Sequence, residues 1–394
     1  MFTFVTYTFR MTLKEKTAFH FEERLQGRYI TLAHIHPILE EYKTVFDIRV
    51  LGTSEKGKDI PIVSIGKGRF KIFIWSQMHG NETTTTKALF DFLKFMRLKS
   101  DLQQRILDFC TIKIIPILNP DGAVAYTREN ANGIDLNRDA MLLTQVESRL
   151  LRKVFEDFHP DVCLNMHDQR TIYGVENTNM PATVSFLAPS ADEEKNITKS
   201  RKEAMSLIVA MYNELKKHIP NQIGRYDDSF NANCVGDYFQ SKNVVTILFE
   251  AGHFPGDYQR ERTRNGIFIS IIALLERLCD KKNSNNDFSD YFLIPENTSN
   301  RRDIHIKNAI VDTTEHPLSV FVQYQEKLVN KKIHFIPIIS AIREDHSLMG
   351  HREIDAKQRR VYLKNGKSLA EGLKINKLFI AEKNADNLLN LGID

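Results

Sequence analysis

Cysteine is scarce in this chain. Four occur in 394 residues (Cys110, Cys163, Cys234 and Cys279), none close enough to another to form a Cys-x-x-Cys pair. Sulfur ligation of a metal is therefore unsupported. A chain long enough to build a large apolar core also has little need of a disulfide framework, so reduced, buried thiols are expected. A charge excess is missing too. Lys plus Arg number 54 against 50 Asp plus Glu, a net +4, which invites neither nucleic acid nor another polyanion. No stretch approaches roughly 18 uninterrupted apolar residues, so no membrane span is expected. The opening Met1–Phe4 run is cut by Thr6, Tyr7, Thr8 and Arg10 before the apolar heart of a signal peptide forms, and Met11 is an alternative start. A cytoplasmic location is the expectation. Internal repeats and low-complexity tracts are also lacking.

What remains is an ordinary globular composition, 42% apolar and 26% charged, which excludes a mostly disordered, collagen-like or coiled-coil chain. Single cores stop growing at roughly 250–300 residues, so more than one unit is expected. From Lys71 onward, short apolar runs alternate with helical spacing. Strands are expected at Lys71–Trp75, Thr111–Leu118, Asp161–Met166 and Val244–Phe249. Helices are expected around Leu89–Met96, Val146–Phe158, Ile208–Leu215 and Ile267–Leu278. Strands interleaved with helices imply an α/β fold, a mixed, mostly parallel sheet flanked by helices, with residues 29–64 adding peripheral strands. At Lys281–Asp290 the pattern turns polar, as a linker does. Beyond it, Asp303–Val311, Leu318–Tyr324, Ile333–Ile339 and Leu373–Ile380 read as short strands. The expected division is an N-terminal extension (1–28), a catalytic domain (29–282) and a small β-rich C-terminal domain (283–394).

Chemistry concentrates at strand ends. His79-Gly80-Asn81-Glu82 follows the strand Lys71–Trp75, where a His and a carboxylate three positions apart can face one metal ion, with Gly80 letting the backbone turn. His167, at the end of the strand Asp161–Met166, offers a third ligand. Two imidazoles and one carboxylate leave a tetrahedral zinc ion with an open position, the mark of a catalytic site. Open parallel sheets place ligands at these carboxyl edges. Asn119-Pro120-Asp121-Gly122 reads as a turn, and the loop after it, Arg128 to Asp139, holds arginines, amides and a carboxylate suited to a substrate with a free carboxylate. Glu250 closes the apolar strand Val244–Phe249, where a carboxylate is costly unless paired or functional; beside a metal-held water it is a candidate general base. His253 is not expected to be a ligand, since a fourth would close the site.

In order and spacing, His79-x-x-Glu82, Asn119–Gly122, Asp135-Leu136-Asn137-Arg138, His167 and Glu250 resemble the carboxypeptidase A-like zinc metallocarboxypeptidases, over roughly residues 30–280. The resemblance implies one zinc ion per chain held by His79, Glu82 and His167, with hydrolysis of a peptide's C-terminal residue by a zinc-bound water. It implies Glu250 as general base, Arg128 as oxyanion stabiliser, Asn137 and Arg138 as the clamp on the terminal carboxylate, and Asp135 as the acid orienting the first His. Tyr226 stands near the place of the family's mobile tyrosine, though its register is a few residues off. Asn233–Asp237 is implied to line the specificity pocket; Asp237 either attracts a basic terminal side chain or is a buried hydrogen-bonding carboxylate. Two alternatives stand beside this reading: an N-acyl amino acid deacylase of the aspartoacylase or succinylglutamate desuccinylase kind, and a non-catalytic protein binding carboxylate-ended tails. The expected partner is a peptide or acyl-amino acid with a free carboxylate. Self-association and the role of the β-rich tail are left open.

Overall fold

The computed structural model describes residues 21–280, 287–311, 314, 316–344, 347–363, 365–375, 378–380 and 383–384. The opening Met1–Phe4 run, the choice between Met1 and Met11 and most of the expected linker, 281–286, lie outside the described residues.

Helix α1 (Leu32–Tyr42) leads into an antiparallel pair, β1 (Asp47–Thr53) and β2 (Asp59–Ile65). Residues 29–64 thus hold a helix as well as the expected strands. Its apolar positions Ile35, Ile38, Leu39 and Tyr42 fall on one buried face, a 3.6-residue period that Pro37 interrupts in the sequence. The core follows: β3 (Phe70–Ser76), α2 (Thr84–Phe95), α3 (Asp101–Phe109), β4 (Cys110–Ile115), α4 (Pro120–Ala125), α5 (Val146–Phe158) and β5 (Val162–Asp168). After these come β6 (Gly174–Val175), β7 (Val184–Leu187), α6 (Lys199–Leu215), β8 (Ile223–Arg225), α7 (Val235–Ser241), β9 (Val245–Ala251) and α8 (Glu261–Cys279). The main sheet runs in the order β1-β2-β4-β3-β5-β9-β7-β8, with its four central strands parallel and antiparallel strands toward both edges. Helices cover both faces, so all seven residues of β5 are buried and the central strands carry near-continuous apolar runs.

A second sheet fills the C-terminal part: β11 (Arg301–Val311), β12 (Leu318–Val329), β13 (Lys332–Arg343), β14 (Met349–Asp355), β15 (Arg360–Tyr362), β16 (Phe379–Ile380) and β17 (Lys383–Asn384). The short β10 (Asn297–Thr298) pairs with β6. The strand expected at Leu373–Ile380 is reduced to the two residues of β16 among those described; Lys374 makes only a single bridge to Ile338. β12 and β13 form a long hairpin paired from Ser319↔Arg343 to Val329↔Lys332, with one register shift between Phe321 and Val322. The β-rich core is not self-contained, because Tyr258, from the loop after β9, is one of its buried members and donates to Asp303 Oδ1 at 2.9 Å. No helix among the described residues is long and apolar enough to cross a membrane.

Candidate active site

The carboxyl ends of β3, β5 and β9 converge on one cavity of about 1100 Å³. His79 and Glu82 lie between β3 and α2. The corner is tight: a Cβ on Gly80 would fall 2.0 Å from the backbone carbon of Gly122. Glycine is required at position 80 by this close approach, not by the chain reversal expected from the sequence. Asn119-Pro120-Asp121-Gly122 is likewise more than a turn. It starts α4, with Pro120 in the first turn and Asn119 as its cap, accepting from the Gly122 amide at 2.8 Å. The Asn119 amide also donates to the carbonyls of Met78 (3.1 Å) and Glu129 (3.2 Å), which binds the His79 corner to the Arg128 loop.

Three side chains meet here. The Nδ1 atoms of His79 and His167 stand 3.1 Å apart, and each is 2.8 Å from a different oxygen of Glu82. These three are the one group among the described residues whose ligand atoms could share a metal ion, lying within 4.8 Å of one another. Asp135 Oδ1 is 2.9 Å from His79 Nε2, so accepting that ring proton leaves the Nδ1 lone pair aimed at the other two ligands. With zinc–nitrogen bonds of about 2.0–2.1 Å, a tetrahedral ion holds neighbouring ligand atoms about 3.3 Å apart, close to the spacing seen. Two imidazole nitrogens and one carboxylate fit zinc. Asp168, beside His167, ties the ligand-bearing segments together: its backbone amide donates to Glu82 Oε2 at 3.1 Å, and its carboxylate caps α2 through the Thr84 amide at 3.0 Å.

Charge in this pocket is balanced by geometry. Burial opposes ionisation of Glu82, but His79 and His167 outweigh it and hold the carboxyl well below its usual range. Burial lowers His167 despite Glu82, whereas for His79 the attraction of Glu82 and the bond to Asp135 prevail and raise it. Asp135 is also driven below the carboxylate range, its burial outweighed by His79 and Arg128. Arg128 donates through Nε to Asp135 Oδ2 at 3.0 Å and approaches Glu82 Oε1 at 3.4 Å, with its head facing the cavity.

Glu250 sits directly beside His167 in the parallel register of β9 and β5, so both side chains leave the same face at the same level. It is buried, and its Oε2 has no hydrogen-bond partner among the described residues. Burial, with Glu82 and Asp168 nearby, pushes its carboxyl well above the ordinary value, and Arg128 and Arg260 pull the other way. An unpartnered carboxylate at the mouth of a donor cluster is suited to carrying a proton.

Asn137 and Arg138 form a short 3₁₀ turn (Leu136–Arg138) capped by Asp135, whose Oδ1 accepts from the Asn137 amide at 2.8 Å. Asn137 Oδ1 in turn accepts from the Val235 amide at 2.9 Å, and exposed Arg138 reaches Cys234 Sγ at 3.0 Å. Both residues line the cavity. So does Tyr226, whose hydroxyl is 3.0 Å from that of Tyr173, a partner with no signal in the sequence. Asp237 lines the same side, accepts from the Asn231 amide at 2.8 Å and is raised by burial to about 6. His253 is apart from the cluster: it is buried between the rings of Tyr258 (4.6 Å) and His351 (4.3 Å). Also missed are the residues of the β12–β13 hairpin that line the cavity, among them Gln325, Glu326, Phe335 and Ile338.

Comparison with known proteins agrees with this geometry. Residues 31–211 match the zinc carboxypeptidase family, Peptidase_M14. Carboxypeptidase 2 of Trichophyton tonsurans is 24% identical over 157 residues, covering 37% of this chain and 28% of that protein. Cytosolic carboxypeptidase-like protein 5 of Danio rerio is 30% identical over 116 residues, covering 28% of this chain and 12% of that protein. The chain thus spans under a third of the length of the curated relatives it matches. In fold it is similar to a metallo-carboxypeptidase from Burkholderia cenocepacia, with a TM-score of 0.51 and 16% identity over 62% of this chain and 68% of that one. Motif order, the match over residues 31–211 and the fold all support the zinc metallocarboxypeptidase family for this chain.

Proposed function

We propose that the protein is a zinc-dependent carboxypeptidase that removes the C-terminal residue of peptides. The observation carrying this reading is the sharing of one cavity by the His79–Glu82–His167 cluster, Arg128, Asn137, Arg138 and Glu250. A zinc ion held by the three ligands would polarise the scissile carbonyl and lower the pKa of a coordinated water to about 7. Asn137 and Arg138 hold the substrate's terminal carboxylate, a planar acceptor that the Arg fork matches. Arg128 meets the negative charge that develops on the carbonyl oxygen, and Asp135 keeps both Arg128 and His79 aimed. Glu250 takes the proton from the attacking water and delivers it to the leaving amine, which needs a carboxylate with no other partner. Tyr226 closes over the bound residue.

In this reading 29–282 carries the chemistry and 283–394 completes the cavity. The N-terminal extension is part of the body at residues 21–28, where Arg28 is buried. A cytosolic place of action is supported by the cytosolic carboxypeptidase-like relative. The test is incubation with a mixed peptide set and detection by mass spectrometry. Stepwise loss of single C-terminal residues, with C-terminally amidated copies left intact, is expected. Cleavage confined to N-acyl amino acids would replace the reading with a deacylase, and no turnover on either would remove it.

A further inference from the structure

The β-rich C-terminal part contributes no ligand to the one metal-competent cluster found among the described residues, yet it reaches the site. Gln325 of β12 and Phe335 and Ile338 of β13 line the same cavity as the zinc-site cluster. The hairpin is firmly seated there. Glu326 pairs with buried Arg28 at 3.0 Å and accepts a hydrogen bond from the Tyr126 hydroxyl. Gln323 donates to Thr171 Oγ1 at 2.6 Å and to Asp303 Oδ2 at 2.5 Å.

A chain of contacts fixes which side of the site this is. Arg138 and Asn137 are tied to Cys234 and Val235 at the clamp. Asp135, just before them in sequence, holds His79 and Arg128. Tyr126, just before Arg128, holds Glu326 of the hairpin. The metal-competent cluster is thus linked through Asp135 to the clamp and through Arg128 and Tyr126 to the hairpin, and all three line one cavity.

We infer that the β12–β13 hairpin reads the substrate residue immediately before the scissile bond and favours an apolar side chain there. The inference rests on the carboxypeptidase reading. With the terminal carboxylate on Asn137 and Arg138 and the scissile carbonyl at the cluster, the rest of the peptide runs away from the clamp and onto the hairpin. Phe335 and Ile338 on that wall, and Ile172 elsewhere in the cavity lining, are half-buried apolar residues. The Phe335 ring is set edge-on to Tyr258 at 5.4 Å and Tyr324 at 6.3 Å, so the surface is preformed by packing. Two of the nearby cations are committed: Arg28 to Glu326, and Arg260 to the carbonyls of Ala251 and Gln169, both at 2.6 Å. Arg170 also lines the cavity, which makes selection of an acidic residue the competing outcome.

The experiment uses the full chain loaded with zinc and acetylated tripeptides that share one C-terminal residue and carry Ala, Leu, Phe, Glu or Lys before it. Wild type is expected to prefer Leu and Phe over Ala by about tenfold in kcat/KM. In Ile338→Ala that spread should shrink to about twofold, with the ranking of C-terminal residues unchanged. Gln325 is exposed, so Gln325→Arg carries little folding risk and should shift preference toward Glu by about tenfold. An active wild type that prefers Glu or Lys, or a selectivity that neither variant moves, overturns the inference and leaves the carboxypeptidase reading standing. A wild type that cleaves none of the peptides takes down both.

Discussion

Replacing Glu326 by alanine removes the anion from a guanidinium with almost no access to water. The Arg28 side chain is 4% exposed, its Nε has no hydrogen-bond partner among the described residues, and its other contact is the Tyr258 carbonyl at 3.4 Å. Breaking a buried ion pair from one side costs about 3–5 kcal/mol, because the remaining charge stays desolvated. Glu326 is itself 24% exposed, so water can enter the gap and the lower end, about 3 kcal/mol, applies. For a chain of this size that corresponds to a fall in melting temperature of about 4 °C. The loss should also reach catalysis, because Glu326 holds the Tyr126 hydroxyl and Tyr126 lies two residues before Arg128. kcat should fall more than KM rises. Thermal and urea unfolding of the full chain, with kinetics on a short peptide, measure both. The double variant Arg28→Met/Glu326→Leu removes charge from both sides and should recover at least half of the lost stability. A single variant melting within about 1 °C of wild type, or a double variant no better than the single, would refute the reasoning.

Three further outcomes follow from the same contacts. Glu250→Gln should retain bound zinc and lose turnover by about 10²–10⁴, measured by metal analysis alongside peptide hydrolysis. Asp135→Asn should weaken zinc binding by about 10–100-fold in chelator competition, since His79 Nε2 loses its anionic partner. At acid pH the Glu22 contact should matter. Burial resists its ionisation, but bonds from Arg24 and Tyr42 outweigh this and hold its pKa at about 2, against 4.5 for a free Glu. The folded protein then binds this proton less readily than the unfolded chain, so the stabilisation is complete above about pH 4.5 and lost as pH falls toward about 2. Urea unfolding of wild type and Glu22→Gln at several acid pH values should show a shallower pH dependence in the variant.

The parallel core was readable because strands buried on both faces need unbroken apolar runs, and β3, β5 and β9 have them. Helix α3 was not, since only Leu102 and Ile106 of its nine residues are buried, too few to mark a period. The site residues were readable because they come in local groups, 79–82 and 128–138, whose chemistry shows without knowledge of the fold. The hairpin wall was hidden for the opposite reason. Tyr126 and Glu326 are 200 residues apart, and Gln325-Glu326-Lys327 reads as any solvent-facing stretch of a strand until its docking partner is known. Gly80 shows a subtler failure: the residue type was informative, but its reason, contact with Gly122, lies in a segment some forty positions away.

The central claim is that His79, Glu82 and His167 together hold one zinc ion. Elemental analysis of the protein after zinc loading and removal of excess metal tests it most directly. The account predicts about one zinc per chain in wild type and almost none in His79→Ala/His167→Ala. Wild type free of zinc, or a double variant that retains a full equivalent, would contradict it.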